Sequence, residues 1–379
     1  MKLVAFKDKN PDEDRLALFP PAVKKLSSLG VEVFIPQDYG LDLEISDSIF
    51  QEAGAKTYAD EIEVSRFSDF SVRVNAPSLD EIKILEKGSL HASFMDPFSH
   101  PKVLDDFNSY SISSISFEMI PRTTLAQKMD FLSSQANLAG YVAVIKAAES
   151  LNKIFPMMMT AAGTVTPAKV FIIGAGVAGL QAIATAKRLG AKVEAFDTRP
   201  VVEEQVQSLG AKFVKLDLGD TGQTDGGYAK ELTKEQMALQ QEMMAKCCEQ
   251  SDVVITTAQL FGRPAPRIVT SEMIQRMKPG SVIIDLAAET GGNVEGVVAG
   301  EENTINGVSV IGAKNFPGEV PHVASQLFGN NVLNFIESYF DKDTNNFNLN
   351  LEDEIIKGCL MTHEGKTVNE MYLNITGQK

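Results

Sequence analysis

The chain of 379 residues contains no tryptophan, three cysteines and four histidines. Cys247, Cys248 and Cys359 make no C-x-x-C pair and no disulfide framework, which fits a reducing compartment. His91, His100, His322 and His363 lack ligand spacing to one another or to cysteine, so no metal site is expected. No apolar run approaches the roughly 18 residues of a membrane span. The N-terminal MKLVAFKDKNPDEDR is too charged for a signal peptide. Positive charge is scarce: 35 Lys and Arg stand against 50 Asp and Glu, a net charge of −15, which argues against nucleic acid and anionic membrane surfaces as partners. Neither a P-loop nor a G-x-S-x-G elbow occurs, and internal repeats are lacking.

What is present suits a soluble globular protein of two or three domains, with 44% hydrophobic and 22% charged residues. The most informative stretch is AKVFIIGAGVAGLQAIATAKRLGAKVEAFDTR, Ala168 to Arg199. Val170 to Ile173 form an apolar run of strand length, followed by Gly174, Gly176 and Gly179 in G-x-G-x-x-G spacing where a helix must begin. The first glycine permits the tight turn, the second lets backbone approach a pyrophosphate, and the third allows close helix packing. The helix N-terminus beginning at Val177 offers free N–H groups to phosphates. Lys192 to Phe196 read as the second strand, and Asp197 stands 18 residues after Gly179, placed for adenosine ribose hydroxyls. That acid favours NAD over NADP, because a 2′-phosphate beside it meets like charge. Arg199 either softens the preference or is simply solvated.

The remaining chain alternates strand and helix signals. Before residue 120, strands are expected at Lys2–Phe6, Val31–Ile35, Phe70–Val74 and Ser113–Glu118, with helices at Pro21–Leu29, Asp47–Ala53 and Leu79–Leu85. After the fingerprint, strands are expected at Phe213–Leu216, Val253–Thr257, Val282–Leu286 and Val308–Ile311, giving the 3-2-1-4-5-6 order of a full dinucleotide fold. The fold class is therefore α/β, with two Rossmann-like domains of mainly parallel sheet. A long helix at Ser325–Phe340 and the tail after it are expected to return to the N-terminal domain. The domains are then 1–131 with 322–379, and 132–321.

Two loops stand out. Ile120 to Tyr141 carries Arg122, Gln127, Asp130 and Ser133 ahead of a helical pattern over Ser134–Ile154, as either a cleft wall or a cap for that helix. Gly219, Gly222, Gly226 and Gly227 fall close together beside Tyr228, as either a lid or an insertion. A dehydrogenase acting on a hydroxyl or amine needs an acid/base group, commonly His or Lys, and none is evident. Hydride exchange between two nicotinamide rings needs only their close placement without water.

Nearly the whole chain resembles the soluble NAD(H)-binding portion of the alpha subunit in the proton-translocating transhydrogenase family, which is related to alanine dehydrogenase. IPRTTLAQKMDFLSSQANLAGY, FPMMMTAAGTVTPAKVFIIGAGVAGLQAIATAKRLGA, GGYAKE, ITTAQLFGRPAP, MKPGSVIIDLAAETGGN and the terminal TGQ carry the likeness. It implies that Arg122, Gln127, Asp130 and Ser133 line the nicotinamide end of NAD(H), with Gln127 nearest the NADP(H) of a partner subunit. It also implies that Gly176, Val177, Asp197, Thr198 and Arg199 hold adenosine and pyrophosphate, that Gly227 and Tyr228 form a mobile lid, and that Ala258 and Gln259 lie at the adenine. Gln259 departs from the apolar residue of the family pattern. A homodimer is implied, held on the cytoplasmic face of the inner membrane by membrane-embedded and NADP-binding subunits. Alanine dehydrogenase is the alternative; its Lys and His are matched here by Arg73 and Phe94, although Arg15 survives. A non-catalytic NAD(H) sensor is a third reading.

Overall fold

The computed structural model describes residues 1–215 and 234–377. The expected lid, with Gly227 and Tyr228, lies outside them, as do Leu216 and Gln378. The chain divides into two compact units, Met1–Gln135 with the segment from Pro317 onward, and Ala136–Phe316.

In the first unit, short apolar strands alternate with helices that begin and end on local signals. Two prolines open the helix Pro20–Ser28, where fixed φ and a missing N–H cost nothing, and Gly30 turns the chain behind it at φ +97°. The Asp60 side chain accepts from the N–H groups of Ile62 and Glu63 and so starts the helix Glu61–Ser65. The sheet runs Lys366–Thr367, Leu360–His363, Ser113–Ser116, Leu90–Phe94, Phe70–Asn75, Lys2–Ala5, Glu32–Pro36, Lys56–Tyr58. Its first six strands in chain order are parallel and stand as 3-2-1-4-5-6, and the tail adds Leu360–His363 antiparallel to Ser113–Ser116. The core beneath it is rich in aromatics. Phe117 stacks on Phe131 with centroids 3.9 Å apart, and Phe94 and Phe328 meet both rings edge-on.

The second unit holds a seven-stranded sheet in the order Lys212–Phe213, Lys192–Phe196, Lys169–Ile173, Val253–Thr256, Val282–Asp285, Val308–Gly312, Glu302–Ile305. The first six are parallel, in the expected 3-2-1-4-5-6 order; Glu302–Ile305 is an added antiparallel edge. VFII, VVI and VII are buried on both faces, which is why these strands read as continuous apolar runs. Register aligns Ile173 with Thr256 and Thr256 with Asp285, so one row of residues marks the C-terminal edge.

The strands Lys56–Tyr58 and Leu90–Phe94 were not expected. The helix Phe131–Ser150 starts three residues before its apolar pattern. A two-stranded hairpin, Met158–Thr160 with Gly163–Val165, is also additional, and all six of its residues are exposed. Among the described residues no helix is long and apolar enough to cross a membrane, and no cluster of His, Cys, Asp and Glu could hold a metal.

Candidate dinucleotide cradle and polar loop

The fingerprint glycines lie at the C-terminal edge of the second sheet, between its first and fourth strands, where the direction of winding reverses. Gly174 has φ +98°, a conformation open to glycine and strained for other residues. A Cβ on Gly179 would collide with the Gly174 carbonyl oxygen, so these two glycines permit one close contact between turn and helix. Thr257 donates to that same carbonyl at 3.1 Å and ties the fourth strand to the turn. Gly176 differs from both. A Cβ there would meet nothing within 4 Å. Gly176 precedes the helix Val177–Arg188, whose first turn has no side-chain cap. Open space at Gly176, uncapped N–H groups and the carboxylate of Asp197 fit the pyrophosphate and ribose of a dinucleotide.

Asp197 follows the second strand, and its carboxylate is surrounded by donors. Oδ2 accepts from the Ala175 N–H at 2.8 Å and from Arg199 Nη2 at 3.0 Å. Oδ1 accepts from the Arg199 backbone N–H at 2.8 Å and from its Nε at 3.0 Å. Burial pushes this carboxyl up, but the bonds from Arg199 and Ala175 outweigh it and hold it below the ordinary aspartate range. Thr198 is exposed beside it.

Two residues within MKPGSVIIDLAAETGGN, neither singled out from the sequence as a site residue, shape the other side. Asp285 and Asn293 are fully buried. Asp285 accepts from Thr256 Oγ1 at 3.0 Å and from the N–H groups of Ala287, Asn293 and Val294 at 2.9, 2.7 and 3.0 Å. Asn293 then clasps the neighbouring loop: its Oδ1 accepts from the Ala258 N–H at 3.0 Å, and its Nδ2 donates to the carbonyls of Ala258 and Pro266 at 2.8 Å. Ala258 is therefore held firmly next to the fingerprint strand. Gln259 is exposed and donates to the Leu286 carbonyl at 3.0 Å.

The polar loop belongs to the first unit and divides into two kinds of residue. Asp130 and Ser133 bond to each other and start a helix. Asp130 Oδ1 accepts from the Ser133 N–H at 2.8 Å and its Oδ2 from the Ser133 hydroxyl at 2.5 Å, which starts the helix Phe131–Ser150 ahead of its apolar pattern. Asn331 and Asn334 both donate to the Lys128 carbonyl, at 3.2 and 2.8 Å, and so pin the turn Gln127–Met129. Met129 and Ala126 are buried beneath it, while Arg122 and Gln127 stay exposed. A fixed backbone thus presents two free-reaching polar side chains.

The equivalent crevice of the first sheet, between Lys2–Ala5 and Phe70–Asn75, is filled by charge. Glu13 takes Arg15 in a fork, with Oε1 accepting from Nε at 2.7 Å and Oε2 from Nη2 at 2.6 Å; Asn75 donates to Oε2 at 2.9 Å and Gln135 accepts from Arg15 Nη1 at 3.0 Å. Arg73 is only 2% exposed and pairs with Glu81 at 2.8 Å and Asp8 at 3.6 Å. Burial pushes the Glu81 carboxyl up, yet Arg73 and the Ser78 N–H hold it at about 2. Phe94 lies in the aromatic core. No acid/base pair is presented at Arg73 and Phe94.

Strand order, glycine cradle and terminal acid define the second unit as a Rossmann-type dinucleotide-binding fold. Family models then cover almost the entire chain: the N-terminal domain of alanine dehydrogenase/PNT matches residues 5–139 and the C-terminal domain residues 143–370. The chain belongs to this family. Among its relatives, the first portion of the NAD(P) transhydrogenase alpha subunit of Rhodospirillum rubrum is 43% identical over 385 residues, covering 100% of both chains. A solved transhydrogenase from Sinorhizobium meliloti superposes with a TM-score of 0.85 at 40% identity, over 98% of this chain and 100% of that one. Alanine dehydrogenase of Halomonas elongata is more distant, 26% identical over 97% of this chain and 94% of its own.

Proposed function

We propose that this chain is the NAD(H)-binding alpha subunit of a proton-translocating NAD(P) transhydrogenase, exchanging hydride with NADP(H) bound on a partner subunit. The observation that carries the reading is the contrast between its two crevices: one is an open glycine cradle, the other is filled by the Glu13–Arg15 and Arg73–Glu81 pairs. One nucleotide site without an acid/base pair suits transfer between two nicotinamides better than oxidation of an amino acid. The relatives agree with it, since the Rhodospirillum transhydrogenase subunit is 43% identical to this chain and the Halomonas alanine dehydrogenase 26%.

In this reading Gly174, Gly176, Val177 and Gly179 receive the pyrophosphate, Asp197 and Thr198 the adenosine ribose with Arg199 bordering it, and Ala258 and Gln259 the adenine. Gly227 and Tyr228 are assigned to the same nucleotide on sequence resemblance. When bound, NADH supplies the hydride. The chain's role is to hold the ring through Gln127, Arg122, Asp130 and Ser133, beside a turn pinned by Asn331 and Asn334, and to exclude water. A homodimer is supported by the exposed hairpin with Met157, Met158, Met159 and Val165, an apolar ribbon of a kind that is marginal alone. Membrane-embedded subunits would supply proton translocation and keep the chain peripheral at the cytoplasmic face.

The test is reconstitution. The pure chain binds NADH but reduces neither pyruvate nor other small carbonyls, and hydride transfer appears when an NADP-binding subunit is added. Gln127→Asn then slows transfer by about a hundredfold while changing NADH affinity little, because the shorter side chain misplaces the contact by about 1 Å. Turnover of alanine by the pure chain would refute the reading.

A further inference from the structure

We propose that Arg199 is a latch on Asp197 that limits NADH affinity and narrows the discrimination against NADPH. The inference rests on the dinucleotide reading above and deepens it. A carboxylate offers about four acceptor positions. All are taken in Asp197: Ala175 N–H, Arg199 N–H, Arg199 Nε and Arg199 Nη2 each donate to it, at 2.8 to 3.0 Å. A ribose hydroxyl therefore finds no vacant acceptor until one donor leaves. The two backbone donors are fixed by the glycine turn and by the strand end. The guanidinium is the group that can leave, since the Arg199 side chain is 57% exposed while that of Asp197 is 7% exposed.

Release has opposite consequences for the two nucleotides. For NADH, the fork between Arg199 and Asp197 must be broken before the ribose is accepted, so the pair opposes binding. For NADPH, the same guanidinium, freed at the ribose end, is a partner for the 2′-phosphate, which otherwise faces Asp197 alone. Asp197 sets the preference and Arg199 moderates it. The exposed position makes the pair a weak one, worth a few-fold in binding.

The experiment is calorimetric titration of the full chain and two variants with NADH and with NADPH. Arg199→Ala is expected to bind NADH about two- to fivefold more tightly and NADPH about fivefold more weakly, widening the ratio by about tenfold or more. Arg199→Lys frees Asp197 of the fork but keeps the charge, so it tightens NADH without weakening NADPH. Thermal unfolding of both variants stays at the parent value, as befits an exposed side chain. The inference is overturned if Arg199→Ala leaves NADH affinity unchanged or lowers it, or if both nucleotides move in the same direction. If the unaltered chain binds neither nucleotide, the dinucleotide reading falls and takes this inference with it.

Discussion

Replacing Asn293 by Ala tests how the nucleotide side of the second unit is held. The side chain is fully buried and makes three hydrogen bonds, all to backbone: from the Ala258 N–H, and to the carbonyls of Ala258 and Pro266. Truncation leaves one donor and two acceptors without partners, and it also loses van der Waals contact. At about 1 kcal/mol for each stranded group, the low end for burial, the loss comes to about 3 kcal/mol. That corresponds to a fall in melting temperature of roughly 6 to 12 °C for a unit of this size. Native-state hydrogen exchange is the better assay, because it reads the second unit separately and locates the opening. Protection should fall across the loops beginning at Ala258 and Ala287, with little change in the strand Lys2–Ala5. A uniform loss of less than about 1 kcal/mol would mean that neighbouring groups satisfy these backbone atoms, and the Asn293 clasp would be refuted.

Gly176→Ala and Gly179→Ala separate ligand clearance from packing. The first is expected to fold as the parent does, since a Cβ meets nothing, yet to bind NADH more weakly; the second drives a Cβ into the Gly174 carbonyl and costs about 1 to 3 kcal/mol of stability. Equal melting temperatures for the two variants would contradict that division. His91 supplies a pH dependence. Burial in the first sheet, helped by the Arg73 charge and opposed by Glu81, lowers it from 6.5 to about 3. The unfolded chain therefore takes up a proton first, so the stability that neutral His91 protects is complete above pH 6.5 and is lost on acidification towards pH 3, by roughly 2 kcal/mol at pH 5. His91→Asn should flatten this slope in urea titrations run between pH 7 and 5; an unchanged slope would assign it to other groups.

The cradle was legible because its signals are local. A run of four apolar residues, three glycines at fixed offsets and an acid at the next strand end are close in sequence, and each has a backbone reason. Asp285 and Asn293 have no such mark. Asp285 ends a strand and Asn293 stands eight residues on in the loop after it, and their role appears only when Thr256 and Ala258 are brought alongside by strand pairing. The missed strands fail for related reasons: Lys56–Tyr58 is a three-residue polar edge, and Leu90–Phe94 interrupts its apolar pattern with buried His91 and Ser93. The early start of the helix at Phe131 was hidden because Asp130 reads equally well as a site residue. Arg199 was visible next to Asp197, but that its fork fills the carboxylate depends on a side-chain conformation.

The filled crevice of the first sheet constrains how this sequence can change. Loss of Glu13 alone strands the buried Arg15 guanidinium, and loss of Arg15 alone strands a buried carboxylate; either costs about 3 to 5 kcal/mol. Loss of both to well-packed apolar residues is close to neutral. The two positions are therefore strongly epistatic, and a lineage can leave this arrangement only through a poorly folding intermediate or by a double step. Drift will accumulate around the pair while the pair itself persists, whether or not it takes any part in turnover. Strict retention of Glu13 and Arg15 among relatives would be the trace of that barrier, and would say nothing by itself about catalysis.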